Sequence, residues 1–233
     1  TQRFEFTNMP PRFEVRFSNV CNPTGALMVE AEYWLKDFRY RGVDVLRGDG
    51  SMKMVYTTNE LTVAVQPLLI VRDEGIAQGG FVVDDMKKTV TFDMVSEVNP
   101  KAMARIVGLF EEETMKEWVF NGPVRVKIKG STDYTDYTGI NFVAEVDGKE
   151  MGVKPFIADE CRFTMKMDGL TNTVQDLRGK LLGGDISGWV RCVFQPGFTN
   201  DMSFSLECDV KNANFERLAR LMSSDLCMRS PGS

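Results

Sequence analysis

Apolar and polar residues alternate with period two along most of this chain, which predicts half-buried β-strands. Leu27, Val29, Ala31, Tyr33 and Leu35 fall on one side of the pattern, and Met28, Glu30, Glu32, Trp34 and Lys36 on the other. Leu61, Val63 and Val65 alternate with Thr62, Ala64 and Gln66; Val90, Phe92 and Met94 with Thr89, Thr91 and Asp93. Val124, Val126 and Ile128 alternate with Arg125, Lys127 and Lys129, and Phe163, Met165 and Met167 with Arg162, Thr164 and Lys166. Phe204, Leu206, Cys208 and Val210 close the series. One greasy and one wet side per strand is the mark of antiparallel sheet.

Turn chemistry separates the runs. Gly48-Asp49-Gly50, Asp84 to Lys88, Asp147-Gly148-Lys149 and Pro196-Gly197 read as hairpin connections, and Gly183-Gly184 as a turn between adjacent strands. The first residues read as a lead-in of two strand-like runs split by Pro10-Pro11. Two helices interrupt the β pattern. Asn99 is suited to the N-cap and Pro100 to the first helical position, and Met103, Ile106, Val107 and Phe110 form a stripe. The run Glu111-Glu112-Glu113 interrupts that stripe, and Met115, Trp118 and Val119 continue it. A second helix is expected from Asn212–Asn214 onward, with Phe215, Leu218, Ala219 and Met222 on one side. The end, Ser230 to Ser233, has the composition of a disordered tail.

The order of elements recurs. Leu61 to Ile106 and Val174 to Leu218 each run apolar strand, glycine turn, alternating hairpin and helix. Gly79-Gly80-Phe81 corresponds to Ser187-Gly188-Trp189, and Val90 to Met94 corresponds to Met202 to Leu206. The expected organisation is therefore residues 1–121 as lead-in plus first unit, 122–229 as second unit and 230–233 as tail, with the boundary at Asn121-Gly122-Pro123. The fold class expected is α+β, mainly β: a curved antiparallel meander of two repeated units, each ending in a short amphipathic helix.

Composition narrows the chemistry. The 233 residues hold 28 basic and 33 acidic side chains, a formal net charge of -5, so the electrostatic footprint of a nucleic-acid binder is absent. There is no histidine, which removes the commonest general base and metal ligand. The five cysteines, Cys21, Cys161, Cys192, Cys208 and Cys227, form no Cys-x-x-Cys pair, and most stand in strand-like apolar contexts as small core residues. No stretch approaches the apolar length of a membrane-spanning helix. The chain starts at Thr1 without initiator Met or signal-like segment, as an excised or processed piece would.

Three motifs invite chemistry and are read structurally. Asp133 to Thr138 lacks the acid density of a calcium loop and reads as a polar loop or strand edge. Gly183 to Gly188 leads into a strand rather than the helix a phosphate loop requires. Asp84-Asp85 and the Glu111 triplet have nothing to converge them into a carboxylate pair. No catalytic residue, cofactor or metal is expected. The 14 methionines and 16 phenylalanines allow two readings: a plain β core under the helices, or an open apolar trough that accepts acyl chains.

Several segments together resemble the AsmA-like family, which includes the TamB-type intermembrane proteins. They are Phe38 to Gly42, Leu61 to Val65, Gly75 to Phe81 and Val90 to Met94, then Val98-Asn99-Pro100 with its helix. In the second copy they are Leu177 to Gly184, Ser187-Gly188-Trp189, Phe204 to Ala213 and Phe215 to Leu218. The resemblance spans about residues 38 to 222 and implies a curved β-groove lined by apolar side chains. It implies a non-catalytic protein of the bacterial periplasm or cell envelope that binds phospholipid or another acyl-chain ligand and helps move it between membranes. Membrane proximity would come through a segment missing here. On that reading Val90, Phe92, Met94, Phe163, Met165, Met167, Phe204 and Leu206 line the groove. The alternative is a structural module of an envelope assembly, its apolar face closed by helices, by self-association or by an envelope partner. Either reading depends on whether the greasy sides of the strands are too extensive for two short helices to hide.

Overall fold

In the computed structural model the chain is described over residues 4–7, 9–18, 25–108, 115–195, 202–214, 216 and 219. The alternating segments all become strands of one antiparallel sheet. In chain order they are β1 (Phe4–Phe6), β2 (Arg12–Ser18), β3 (Leu27–Tyr40), β4 (Val43–Tyr56), β5 (Leu61–Arg72), β6 (Gly75–Asp84), β7 (Thr89–Ser96), β8 (Trp118–Phe120), β9 (Val124–Asp133), β10 (Asn141–Val153), β11 (Phe156–Asp168), β12 (Thr171–Leu181), β13 (Gly184–Phe194) and β14 (Met202–Lys211). Spatial order follows chain order from β3 to β14 without a crossover. The two lead-in strands share the first edge, β2 against Met28–Trp34 and β1 against Phe38–Tyr40 of β3. β8 continues the line of β9 beside Met151–Val153 of β10. β7 pairs with β9 from Thr89–Asp133 to Ser96–Val126, so the sheet runs without a break past Asn121-Gly122-Pro123.

Two glycine segments expected as hairpin turns lie inside strands. Gly48 and Gly50 belong to β4, and Gly148 belongs to β10. A glycine inside a strand marks a close approach, and each of these has one. A Cβ on Gly48 would stand 3.1 Å from the Phe38 ring, one on Gly50 would collide with the Tyr33 hydroxyl, and one on Gly148 would press on Met151 and Val124. The glycines make room for bulky neighbours on the same side. The true turns are Arg41-Gly42, with both residues at positive φ, and Lys154-Pro155. The turn at Asp84–Lys88 is where the sequence places it; the turn expected at Gly183-Gly184 falls at Leu182-Gly183, and Gly184 to Gly188 belong to β13.

Helix α1 (Pro100–Val107) forms as the caps dictate. Asn99 Oδ1 accepts from the Lys101 amide at 2.9 Å, Pro100 opens the first turn, and Gly108 closes it in the left-handed region at φ 76. The expected continuation of the apolar stripe through Met115, Trp118 and Val119 does not belong to the helix. Trp118 and Val119 are in β8, where their β-favouring side chains pair with Val153 and Gly152. The Glu111 triplet, most of the second helix, the turn at Pro196-Gly197, the tail, Cys21 and Cys227 lie outside the described residues. Cys161, Cys192 and Cys208 are free thiols.

α1 packs at one end of the sheet. Ala102, Met103 and Ile106 sit on a buried cluster of Leu35, Phe38, Val45, Ile70, Ala77 and Val98. A smaller cluster, Val124, Val146 and Met151, lies under Phe120, Val126, Cys161 and Phe163. The start of the helix is tied to the β5–β6 turn. Arg72 pairs with Glu74 at 2.6 Å, and Glu74 accepts from the Asn99 amide at 3.4 Å.

Two strands carry one residue more than their neighbours. Between Val65 and Leu68, β5 has two residues where β4 has Ser51 and β6 has Gly80. Between Val174 and Leu177, β12 has two residues where β13 has Trp189. Such bulges bend a strand and increase its local twist.

Candidate functional site

Residues directly opposite on antiparallel strands project to the same side of a sheet, so the pairing register sorts every side chain. One transverse row reads, from edge to edge, Val15, Ala31, Met52, Val65, Phe81, Phe92, Gly130, Phe142, Met167, Asn172, Cys192 and Phe204. The row beside it reads Phe13, Tyr33, Gly50, Leu68, Gly79, Met94, Ile128, Ala144, Met165, Val174, Val190 and Leu206. A third begins Phe17, Val29, Met54, Val63, Val83 and Val90. Across twelve strands, Asn172 is the one side chain in the first two rows that carries a polar group other than a phenol or thiol. Its amide reaches the Met165 sulfur at 3.5 Å.

The register brings the eight sequence-identified groove residues together on this one face. Phe92, Met167 and Phe204 share the first row and Met94, Met165 and Leu206 the second; Val90 is in the third, and Phe163 sits two residues from Met165 on the same strand. Their exposure is graded. Met167 is buried and Val90, Phe92, Met94, Phe163 and Met165 are half-buried. Phe204 and Leu206 on the edge strand are 63% and 55% exposed, and Phe13 and Phe17 on the opposite edge 57% and 64%. α1 packs at the Leu35–Phe38 end, on a buried cluster that Tyr33 and Leu68 of the second row also touch. At about 4.8 Å per strand, twelve strands make each row about 50 Å long, far beyond what one two-turn helix covers.

The other side is charged. Cross-strand pairs Lys53–Glu30 at 3.3 Å, Lys129–Asp93 at 3.4 Å and Lys180–Glu160 at 3.4 Å lace it. It also holds an open concavity of about 580 Å³ lined by Arg125, Lys127, Glu145, Asp147, Arg162, Asp176 and Arg178. The alternation marks these positions as a wet face, but not that β9 to β12 gather four cations in one hollow. That gathering depends on the register between four successive strands. Among the described residues no group of acids and cysteines could hold a metal ion.

The Asp133–Thr138 segment is a self-satisfied loop. Asp133 Oδ1 accepts from the Thr135 amide at 2.7 Å and the Asp136 amide at 3.2 Å, and the Thr135 hydroxyl with these amides holds its carboxyl below the usual range. The Tyr134 hydroxyl donates to Asp85 in the β6–β7 turn. Its groups are engaged in fastening one end of the sheet. Burial pushes the Cys161, Cys192 and Cys208 thiols up, with Asp147 adding at Cys161 and Asp209 at Cys208, so none is poised as a nucleophile.

No family model matches the chain, and neither the curated proteins nor the solved structures contain a match to it.

Proposed function

We propose that this chain is a non-catalytic lipid-binding β-groove of the bacterial cell envelope, whose apolar face takes the acyl chains of phospholipid and passes them along its rows. The observation that carries this reading is the continuity of the apolar rows from Val15 to Phe204 and from Phe13 to Leu206, with one short helix at one end as cover among the described residues. A large exposed apolar surface usually marks an interaction site. Acyl chains on this face would leave water while head groups stay at the rim, each buried methylene contributing about 0.8 kcal/mol before ordering costs. Apart from the Tyr33 phenol and the Asn172 amide, which is turned to the Met165 sulfur, the two rows are apolar or thiol along their length. The reading includes a two-unit duplication. Its support is the matching extra residue in β5 and β12, each flanked by Val and Leu (Val65 and Leu68; Val174 and Leu177), with Gly79 and Gly188 opposite the two leucines, a pairing that moves the glycine correspondence by one from Gly80–Gly188 to Gly79–Gly188.

The test is native mass spectrometry of the protein extracted from a bacterial envelope fraction, followed by binding of a fluorescent phospholipid to delipidated protein. Copurified phospholipid and saturable binding are expected. Phe92→Glu and Phe142→Glu should abolish binding, while Thr91→Glu on the charged face should not. A delipidated, folded protein without affinity for the probe would overturn the proposal.

A further inference from the structure

The two edges of the sheet match each other. The path from β2 through β3 to β14 contains an even number of strands, all antiparallel, so β14 runs opposite to β2. Placing a second copy beside β14 with the same face up therefore brings its β2 in antiparallel, ready to form a ladder. Carrying the rows straight across sets Phe204 opposite Val15 and Leu206 opposite Phe13, apolar against apolar. On the charged side the same register sets Glu207 opposite Arg12. Both charged residues are already held at the edge by an adjacent tryptophan: Arg12 lies over the Trp34 ring at 4.9 Å, and Glu207 accepts from Trp189 Nε1 at 3.1 Å.

The charges on these edges, Arg12, Glu14 and Arg16 on β2 and Glu207, Asp209 and Lys211 on β14, all lie on the charged side, and the other side of each strand is apolar. β2 and β14 contain no proline and show no register shift against their neighbours, and every described side chain on them is exposed. A regular edge with an apolar side, beyond which no described strand pairs, is a template for another strand. We propose that copies of this chain associate head to tail through β14 of one and β2 of the next, extending the sheet and its apolar rows across the junction. The contact is heterologous, so it propagates into a filament or closes into a ring. The second copy supplies Phe13 and Val15 to the face that Leu206 and Phe204 leave open. The ladder itself goes beyond the lipid reading and does not require it.

The test uses the full chain, delipidated so that acyl-chain binding does not enter. Light scattering across a concentration series should give a mass that rises above the monomer; a monomer at every concentration overturns the proposal. Arg12→Glu and Glu207→Arg should each raise the concentration for half-association about tenfold by placing like charges opposite each other. The double variant should recover most of the loss, and a double variant that is folded by circular dichroism yet no better than either single overturns the register. Mixing chains carrying Val15→Cys with chains carrying Phe204→Cys should yield a disulfide between the two, located by peptide mass spectrometry. If that link forms only within a single doubly substituted chain, the edges meet by closure of one molecule and the proposal fails.

Discussion

Arg162 stands directly opposite Arg178 across the β11–β12 pair. Like charges facing each other on neighbouring strands destabilise a sheet. On the far side of Arg162 is Asp147, while Arg178 is followed by Ser187. Arg178 is thus the cation without a cross-strand acid in this row. Arg178→Gln should stabilise the protein by about 0.5 kcal/mol, read as a higher urea midpoint with unchanged slope. Added salt should narrow the difference between variant and parent by screening the repulsion.

The cap of α1 gives a second measurable quantity. Asn99 accepts from the Lys101 amide and donates through Nδ2 to the Phe120 carbonyl at 3.3 Å, joining the helix to β8. Asn99→Ala should cost about 1 kcal/mol or somewhat more. Asn99→Asp keeps the cap acceptor and loses the donor, so its shortfall isolates the β8 link. Equilibrium denaturation of the three proteins checks this.

Val98, 1% exposed beneath that helix, is the most buried large side chain among the described residues. Val98→Ala should cost about 2 kcal/mol through lost transfer energy and the cavity left behind. Apolar truncation at Phe204, 63% exposed, should change stability by less than about 0.5 kcal/mol. Thermal melts of the two variants would show whether the energetic core lies at the helix end, as the packing requires.

Acid should loosen the start of α1. At Glu74 burial opposes ionisation, but the Arg72 hydrogen bond and charge together with backbone donors, including the Asn99 amide, hold its carboxyl below the usual range. A carboxylate depressed in the folded state binds protons less readily there than in the unfolded chain. Its stabilising contribution is therefore full above the ordinary glutamate value of about 4.3 and is lost as pH falls through the lower folded value. Amide exchange at Lys101 and Met103 should speed up in that acid window relative to the amides of β10. Glu74→Gln should remove the pH dependence at this site.

The three described thiols should label slowly. All three are pushed above the ordinary cysteine value by burial. Maleimide reaction at neutral pH should be slower than for a model thiol and should accelerate on the alkaline side. Cys161, the most deeply set and packed beside Val146 and Met151, should be last. Peptide mapping after timed labelling resolves the order.

The faces of this sheet were legible in the sequence because a strand has a period of two, broken in the pairing only by the extra residue in β5 and in β12. Phe92, Met165 and Phe204 fall on a common side whatever their neighbours are, provided each strand starts in the right phase. Asn99, Pro100 and the α1 stripe were legible because capping is local. Gly48-Asp49-Gly50 misled because glycine serves both turns and close approaches. Only the position of the Tyr33 and Phe38 side chains across the β3–β4 pair decides which. The strand at Trp118 was hidden because its partner, Val153, lies on another hairpin. The arginines of the hollow were visible one by one, while their convergence is a property of register between β9, β10, β11 and β12.

From β3 to β14 the strands pair in chain order, except that β7 meets β9 and β8 lies beside β10, and among the described residues α1 alone folds back, onto Leu35, Phe38 and Val45 at one end. Such a sheet behaves as a one-dimensional chain of coupled units, with stability passed from neighbour to neighbour. Unzipping starts at the rims, where β2 and β14 are held on one side only, and the middle strands open last. Deuterium uptake would then form a gradient, fastest in β2 and β14 and slowest near β7 and β9. A strand docking on either rim would shift that whole gradient outward from a distance.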